Sequence, residues 1–485
     1  MKLWDDLVGV AMVGTERRTF DLTELRALAD DTLPAVPEAE AQVLAAAVVL
    51  DNYRRAGRRP AKGTVPEPAP SHDRPACSDT AAQVLDLLLG GMVAVAGGTT
   101  ALIEAWLTTC RAAGRRPPDR LLAPLLDLAT ASPPLRPAVA GAVGRRGEWL
   151  AGANPDWAWA AVPPAATTAA DYPTASTAER VALLTSLREQ DRPAAARLLR
   201  STWKAEPAAE RSALLAALEP ALADDDEPFL EELLDDRAAS VRAAAAQLLN
   251  RLPRSRRAAR MADRARPLVR VEGRFRRKLV VSLPDSLDAA ARRDGITDAR
   301  DPGSGLHAAW LSKIVAATPL DVWEPHLGMA PDEAVAKATE ESMEVRNGWI
   351  SAALAQRDER WALALLGHQA NAVLVSALSP EAARRYAADA LGRSAPPDTH
   401  FLAALAAPGP WDATLSALAV EKARGVTGNP MLSTVVGRLA WRLDPIVLPA
   451  VEAWIEQLGQ EGSRREVRAL AHALSIRATI AEEFS

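Results

Sequence analysis

The groups best able to do chemistry are concentrated between residues 219 and 278. Residues 219–236 carry nine acids and no base: Glu219, Asp224, Asp225, Asp226, Glu227, Glu231, Glu232, Asp235 and Asp236. Residues 251–278 carry twelve bases, eleven of them Arg, against only Asp263 and Glu272. Guanidinium forks suit carboxylates and phosphates alike. Two readings of this stretch stand open. Either the basic run is a surface for an acidic partner or for phosphates, or it folds against the acidic run and neutralises it. The run Asp224–Glu227 is acidic enough to attract a divalent cation, but it lacks the spaced acids and central Gly of an EF-hand, so a solvated loop is expected. Within the basic run, 268–281 is the chain's one persuasive strand pattern, a hairpin with Gly273 at or near its turn. Alternation would place Arg274, Arg276 and Lys278 on one face. Arg270, Arg274, Arg276, Arg277 and Lys278 are therefore the candidate partner-binding residues, expected to meet an acidic protein face.

Catalytic constellations are missing elsewhere. Ala61-Lys62-Gly63-Thr64 only brushes past a phosphate loop, and Gly303-Ser304-Gly305 lacks the spacing of a nucleophile elbow. The histidines His72, His307, His326, His368, His400 and His472 are scattered, with no pair at i, i+4 and no His-Glu-x-x-His. Cys77 and Cys110 cannot supply a disulfide framework or a four-cysteine metal site. No catalytic residue, cofactor or metal is expected, and the balance tips away from an enzyme.

The elements that position these groups read as helices. The chain has 485 residues, 48% of them apolar and 25% charged. Arg outnumbers Lys 50 to 7, an excess that codon usage alone could produce. Such an Ala-, Leu- and Arg-rich chain favours helix over strand. From Thr177 the pattern repeats. Asp191-Arg192-Pro193-Ala194-Ala195-Ala196-Arg197 is echoed 45 residues on by Asp236-Arg237-Ala238-Ala239-Ser240-Val241-Arg242, the HEAT/armadillo length. Asp191, Arg197, Asp236 and Arg242 are thus expected at repeat turns, bridging neighbouring helices. A competing 31-residue echo links Ala178-Glu179-Arg180 with Ala209-Glu210-Arg211; the 45-residue register is preferred, because Ala/Leu-rich helices match one another cheaply. The phrase Ala-Gly-Arg-Arg-Pro, at 56–60 and 113–117, reads as a helix stop. Trp149, Trp157 and Trp159 are expected to anchor a loop, and the tryptophans beyond residue 301 to fill inter-helix layers.

The expected fold class is all-α, a HEAT-like α-solenoid with one small β-hairpin. Its expected divisions are a helical domain over 1–165, HEAT-like repeats over 166–255, a basic hairpin segment over 256–300 and a helical-repeat domain over 301–485. Two acids among the first six residues do not suit a signal peptide. No 18-residue apolar run occurs, and the expected location is the cytoplasm. A net charge of −5 recruits the chain globally to neither nucleic acid nor an anionic membrane.

Several phrases in order, Val13-Gly14-Thr15-Glu16-Arg17-Arg18, the Ala-Gly-Arg-Arg-Pro pair, Arg146-Gly147-Glu148-Trp149-Leu150 with Asn154-Pro155-Asp156-Trp157, Asp226-Glu227-Pro228-Phe229-Leu230-Glu231, and Arg346-Asn347-Gly348-Trp349, carry a resemblance. The chain resembles a bacterial protein family of unknown function encoded beside MoxR-type AAA ATPases, von Willebrand A-domain proteins and SWIM zinc-finger proteins. The resemblance implies a component of a multi-protein system, with an AAA ATPase or a von Willebrand A-domain protein as partner and no catalytic residues to carry over. The expectation is a non-catalytic interaction scaffold. The alternative is a HEAT-repeat protein that binds nucleic acid through 251–278.

Overall fold

The computed structural model describes residues 2–28, 38–56, 67–72, 74–91, 93–161, 172–273, 277–299 and 305–485. The boundary expected near 165, the phosphate-loop-like phrase at 61–64, and the tip residues Arg274 and Arg276 lie outside the described residues. The chain divides into two units, Met1–Ala69 and Pro70–Ser485. Both are helical, and one two-stranded antiparallel sheet is the sheet of the described residues.

In the first unit, helices Lys2–Val13, Thr23–Leu28 and Ala39–Ala56 close a small core around Leu7, Leu25, Ala46 and Leu50. The helix stop is as expected in the second copy, where Thr99–Ala112 ends before Gly114, whose φ of +66° is the left-handed conformation that Gly adopts at no steric cost; residues 57–60 of the first copy lie outside the described residues.

The second unit begins with a helical block over 79–161. Its helices Asp79–Leu89, Thr99–Ala112, Leu122–Ala131 and Arg136–Ala153 surround Leu85, Leu102, Trp106, Leu125 and Val139. Trp157 and Trp159 anchor the exit of this block by donating to Asp127 Oδ1 at 2.9 Å and to Thr130 Oγ1 at 3.0 Å. The block is completed from the far end of the sequence. Helix Glu461–Glu483 packs on Asp79–Leu89 and Thr99–Ala112, and it places Ile480 in the same core. Phe484 meets Trp106 edge-on, with ring centroids 5.2 Å apart, and Ser78 donates to Glu483. Nearby, Ala96 N–H donates to Ala469 O at 3.0 Å. Gly97, at φ +79°, lies so close to Trp441 that a Cβ would fall 2.2 Å from the indole Nε1.

Residues 172–265 run as three successive helix pairs, Thr177–Gln190 then Arg192–Thr202, Ala208–Leu215 then Glu227–Leu233, and Ala239–Leu249 then Arg256–Ala265. The first pair packs as a hairpin, whereas Glu227–Leu233 packs on Ala239–Leu249 and Arg256–Ala265 on the later helix Leu306–Ala316. The first helix of each pair packs on the first helix of the next. These helices begin at 177, 208 and 239, so their spacing is 31 residues. The helices therefore follow the 31-residue echo and not the preferred 45-residue one, and the repeat is shorter than the roughly 40–47 residues of HEAT and armadillo units. The 45-residue register fails because it equates two different positions. Asp191 caps the second helix of one pair, whereas Asp236 precedes the first helix of another.

The hairpin β1 (Val269–Glu272) and β2 (Lys278–Val281) pairs Val269 with Val281 and Glu272 with Lys278. It lies where expected, with Gly273 at φ +90° following β1. Val269 and Leu279 point into the core. Beyond it, helix Leu306–Ala316 packs on Arg256–Ala265 and on Met343–Gln356. At the second crossing Gly348 permits the approach, since a Cβ there would sit 2.6 Å from Val315. Trp323, Trp349 and Trp361 stack through this core, with centroids 5.6 and 5.0 Å apart.

Candidate functional site

The acidic and basic runs meet. Helix Arg256–Ala265 starts at the Ser255 cap, and its Arg257, Arg260 and Arg264, at i, i+3 and i+7, share one face. That face turns toward Asp294, which ends the short helix Ala289–Arg293. Arg260 donates through Nε to both Asp294 carboxylate oxygens at 3.1 and 3.0 Å, and through Nη2 to Glu231 Oε1. Arg264 donates to Asp294 Oδ2 at 2.7 Å. Arg257 donates to the Asp294 carbonyl at 2.8 Å and to Asn250 Oδ1 at 2.6 Å. From the other side, Arg293 reaches Glu231 Oε1 at 3.2 Å and Asp235 at 2.8 Å. Arg256 pairs with Glu227 at 2.8 Å and Arg254 with Asp224 at 3.2 Å. Asp294 is only 1% exposed. Gly295, at φ +89°, lets the turn behind it pass Ala246, where a Cβ would come within 2.8 Å.

The electrostatics follow from this geometry. Burial opposes a charged Asp294, but the hydrogen bonds from Arg260 and Arg264 outweigh it and hold its carboxyl below the usual range. Arg256 holds Glu227 low, and Arg293 does the same for Asp235. Burial pulls the Arg257 guanidinium down to about 10. Carboxylates depressed in the folded state contribute stability that is present above their unfolded pKa of about 4 and lost as pH falls through the folded values. The urea midpoint should therefore stay flat from about pH 7 to 5 and fall below about pH 4. A midpoint that rises on acidification would contradict this network.

A second set of ion pairs links successive helix pairs. Arg180 is held by Glu206 and Glu210, and Arg211 by Asp236. Each Arg stands near the start of one helix pair's first helix, and its acid lies in or just before the next. Arg188 forks onto Asp226 at 3.1 and 2.7 Å. The repeat-turn residues thus divide by role. Asp236 bridges helices through Arg211 and also accepts from Ala238 N–H at 2.8 Å. Arg242 closes its own turn by donating to the Asp236 carbonyl at 2.7 Å. Asp191 only caps its own helix, accepting from Ala194 N–H at 2.9 Å, and Arg197 is exposed. Asp191→Ala should cost about 1 kcal/mol, the usual value of a cap. Asp236→Ala, which strands a buried guanidinium, should cost at least about 2 kcal/mol. Equal shifts in urea midpoint would refute the difference in role.

The hairpin residues singled out from the sequence are less free than expected. Arg277 is drawn onto the Leu327 and Gly328 carbonyls, and Lys278 stands 3.4 Å from Glu341. His326 Nε2 holds the hairpin base through the Val269 carbonyl at 2.8 Å. Arg270 is exposed on β1, with no ion pair among the described residues. Its neighbours Arg274 and Arg276 lie outside them.

Arginine has a further use that composition could not reveal. Arg74 donates to Gly141 and Ala142 carbonyls, Arg136 to Ala129, Arg424 to Ala450, Arg442 to Ala407, and Arg477 to Ala440 and Leu443. Two of these carbonyls, Ala129 and Ala440, stand at the C-terminal ends of helices, where backbone acceptors lack intrahelical partners. Among the described residues no cluster of His, Cys, Asp and Glu could hold a metal ion. Burial pushes the Cys110 thiol up to about 12 and raises Cys77 as well, leaving both as thiols at neutral pH. No helix among the described residues is long and apolar enough to cross a membrane.

Compared with known proteins, residues 6–484 match the model of a family of unknown function, DUF5691. No curated protein and no solved structure matches the chain.

Proposed function

We propose, for a chain that belongs to DUF5691 along nearly its whole length, a role as a non-catalytic scaffold that holds protein partners. The observation that carries this reading is the succession of helix pairs whose first helices stack on one another at a 31-residue spacing. We read this succession as a short α-solenoid, HEAT-like in its logic but tighter in period. Repeats of this kind contact mainly their neighbours and present extended surfaces for binding. Of the arginines over 251–278 on which nucleic-acid binding would depend, Arg256, Arg260, Arg264 and Arg277 are engaged with carboxylates and carbonyls. That supports the protein-partner reading over the nucleic-acid one.

The family resemblance supplies candidate partners, a MoxR-type AAA ATPase and a von Willebrand A-domain protein, in a bacterial cytoplasmic assembly. The test mixes the purified chain with each protein from the same genome and follows complex formation by size-exclusion chromatography with light scattering. A stoichiometric complex with either one is the expected result. Co-elution with neither, together with tight binding of duplex DNA whose log affinity falls steeply with log salt, would replace this reading with the nucleic-acid one.

A further inference from the structure

We propose that the outer face of helix Arg192–Thr202 is the docking surface for an acidic segment of a protein partner. The proposal rests on the scaffold reading for the class of partner, and on the helix itself for the place. Arg192, Arg197, Arg200 and Lys204 are all exposed. None has an ion-pair partner among the described residues, although ion pairs take up basic side chains throughout the neighbouring helix pairs. At 100° per residue Arg192, Arg197 and Arg200 fall within one side of the helix, and at 1.5 Å per residue they span roughly 12 Å, with Lys204 in the turn just beyond the helix end. Arg200 is further ordered by Phe229, with its guanidinium carbon 4.8 Å from the ring centroid.

Helix stability does not account for this stripe. Arg192 occupies the first turn, directly after the Asp191 cap, where the helix dipole disfavours a cation. Like charges along one face repel one another without an anion between them. The charge pattern of the neighbouring helix narrows the partner. Glu227–Leu233 touches the stripe through Phe229, which lies under Arg200 and meets Trp203 edge-on with centroids 5.2 Å apart. Within and just before that helix, Asp225 and Glu232 are exposed. A uniformly charged polyanion such as duplex DNA would meet those carboxylates as it settled on the stripe. A protein segment that is acidic along one edge and basic along the other would be complementary to both helices.

The test uses the full chain and fluorescence anisotropy at low and physiological salt. The probes are a labelled helical peptide with glutamates along one face and lysines along the other, and a labelled duplex DNA. The variant carries Arg197→Glu, Arg200→Glu and Lys204→Glu together, and Arg465→Glu, an exposed arginine far along the chain, is the control. We expect the peptide to bind more tightly than the duplex, to weaken at least tenfold in the triple reversal and to change less than twofold in the control. Should circular dichroism show the reversal misfolded, the triple Gln variant takes its place, with at least a threefold loss expected. Peptide affinity unchanged by reversal or neutralisation, or a duplex bound more tightly than the peptide, overturns the proposal. If the reversal leaves binding of the ATPase or von Willebrand A-domain protein intact, the scaffold reading stands and this surface falls.

Discussion

Replacing Asp294 with Ala is expected to lower the stability of the Pro70–Ser485 unit by about 3–5 kcal/mol, the usual loss when one partner of a buried ionic network is removed. The size follows from what Asp294 balances. Its carboxylate receives Arg260 and Arg264 together, and the carbonyl of the same residue receives Arg257, which is only 3% exposed. Glu231 retains Arg260 and Arg293 in the variant, so one guanidinium keeps a partner and the loss should fall toward the lower end. Arg264 loses its near carboxylate, with Asp288 left at 3.9 Å. The measurement is urea unfolding at pH 7 with tryptophan fluorescence. Asp294→Asn preserves shape and one acceptor but removes the charge. If it melts with wild type, the charge on Asp294 is irrelevant and the account of the network is wrong.

The second large effect concerns the end of the chain. Ending it at Ser475 removes Ile480, which is 5% exposed within the core of the 79–161 block, and Phe484, which lies against Trp106. Burying an Ile or Phe side chain contributes ~1.5–3 kcal/mol each, so the block should lose about 3–5 kcal/mol once the half-exposure of Phe484 is allowed for. Limited proteolysis should then cut first within 79–161, although the deletion lies more than three hundred residues away in sequence. Initial cleavage within 306–460, with 79–161 still resistant, would show that the block holds itself together. Gly97→Val should weaken the same junction, through both its left-handed backbone and the Trp441 contact.

Much of this fold was legible from local chemistry. The helix stop before Gly114, the hairpin over 269–281 and the anchoring of Trp157 and Trp159 follow from residue type and spacing alone. The repeat period was harder to read. Ala/Leu-rich helices resemble one another in many registers, and the true register is marked by Arg180 and Arg211, whose acids Glu206 and Asp236 sit about 25 residues downstream and look unremarkable in sequence. The charged runs meet directly through Arg254, Arg256 and Arg260, but the buried centre of their network is Asp294, an acid outside both runs that is brought in by a five-residue helix. The free cations of 192–204 were hidden for the opposite reason. They are ordinary in number, and only the absence of an ion pair to any of them among the described residues distinguishes them.

The return of the last helix onto the first block has a consequence for synthesis. The ribosome releases residues 79–161 long before Ile480 exists. At ~5–20 residues per second, the roughly 320 residues between Ala161 and Ile480 take about 15–60 s to make. Throughout that interval the apolar face around Trp106 has no helix to cover it. Successive helices such as those over 177–249 can close locally as they emerge, so the growing chain folds from its middle outward and its amino-terminal block waits. Collapsed states with uncovered apolar surface are the species that aggregate and that chaperones hold. The demand for such help should therefore fall on 79–161 during translation and end when the last two turns of the final helix leave the ribosome.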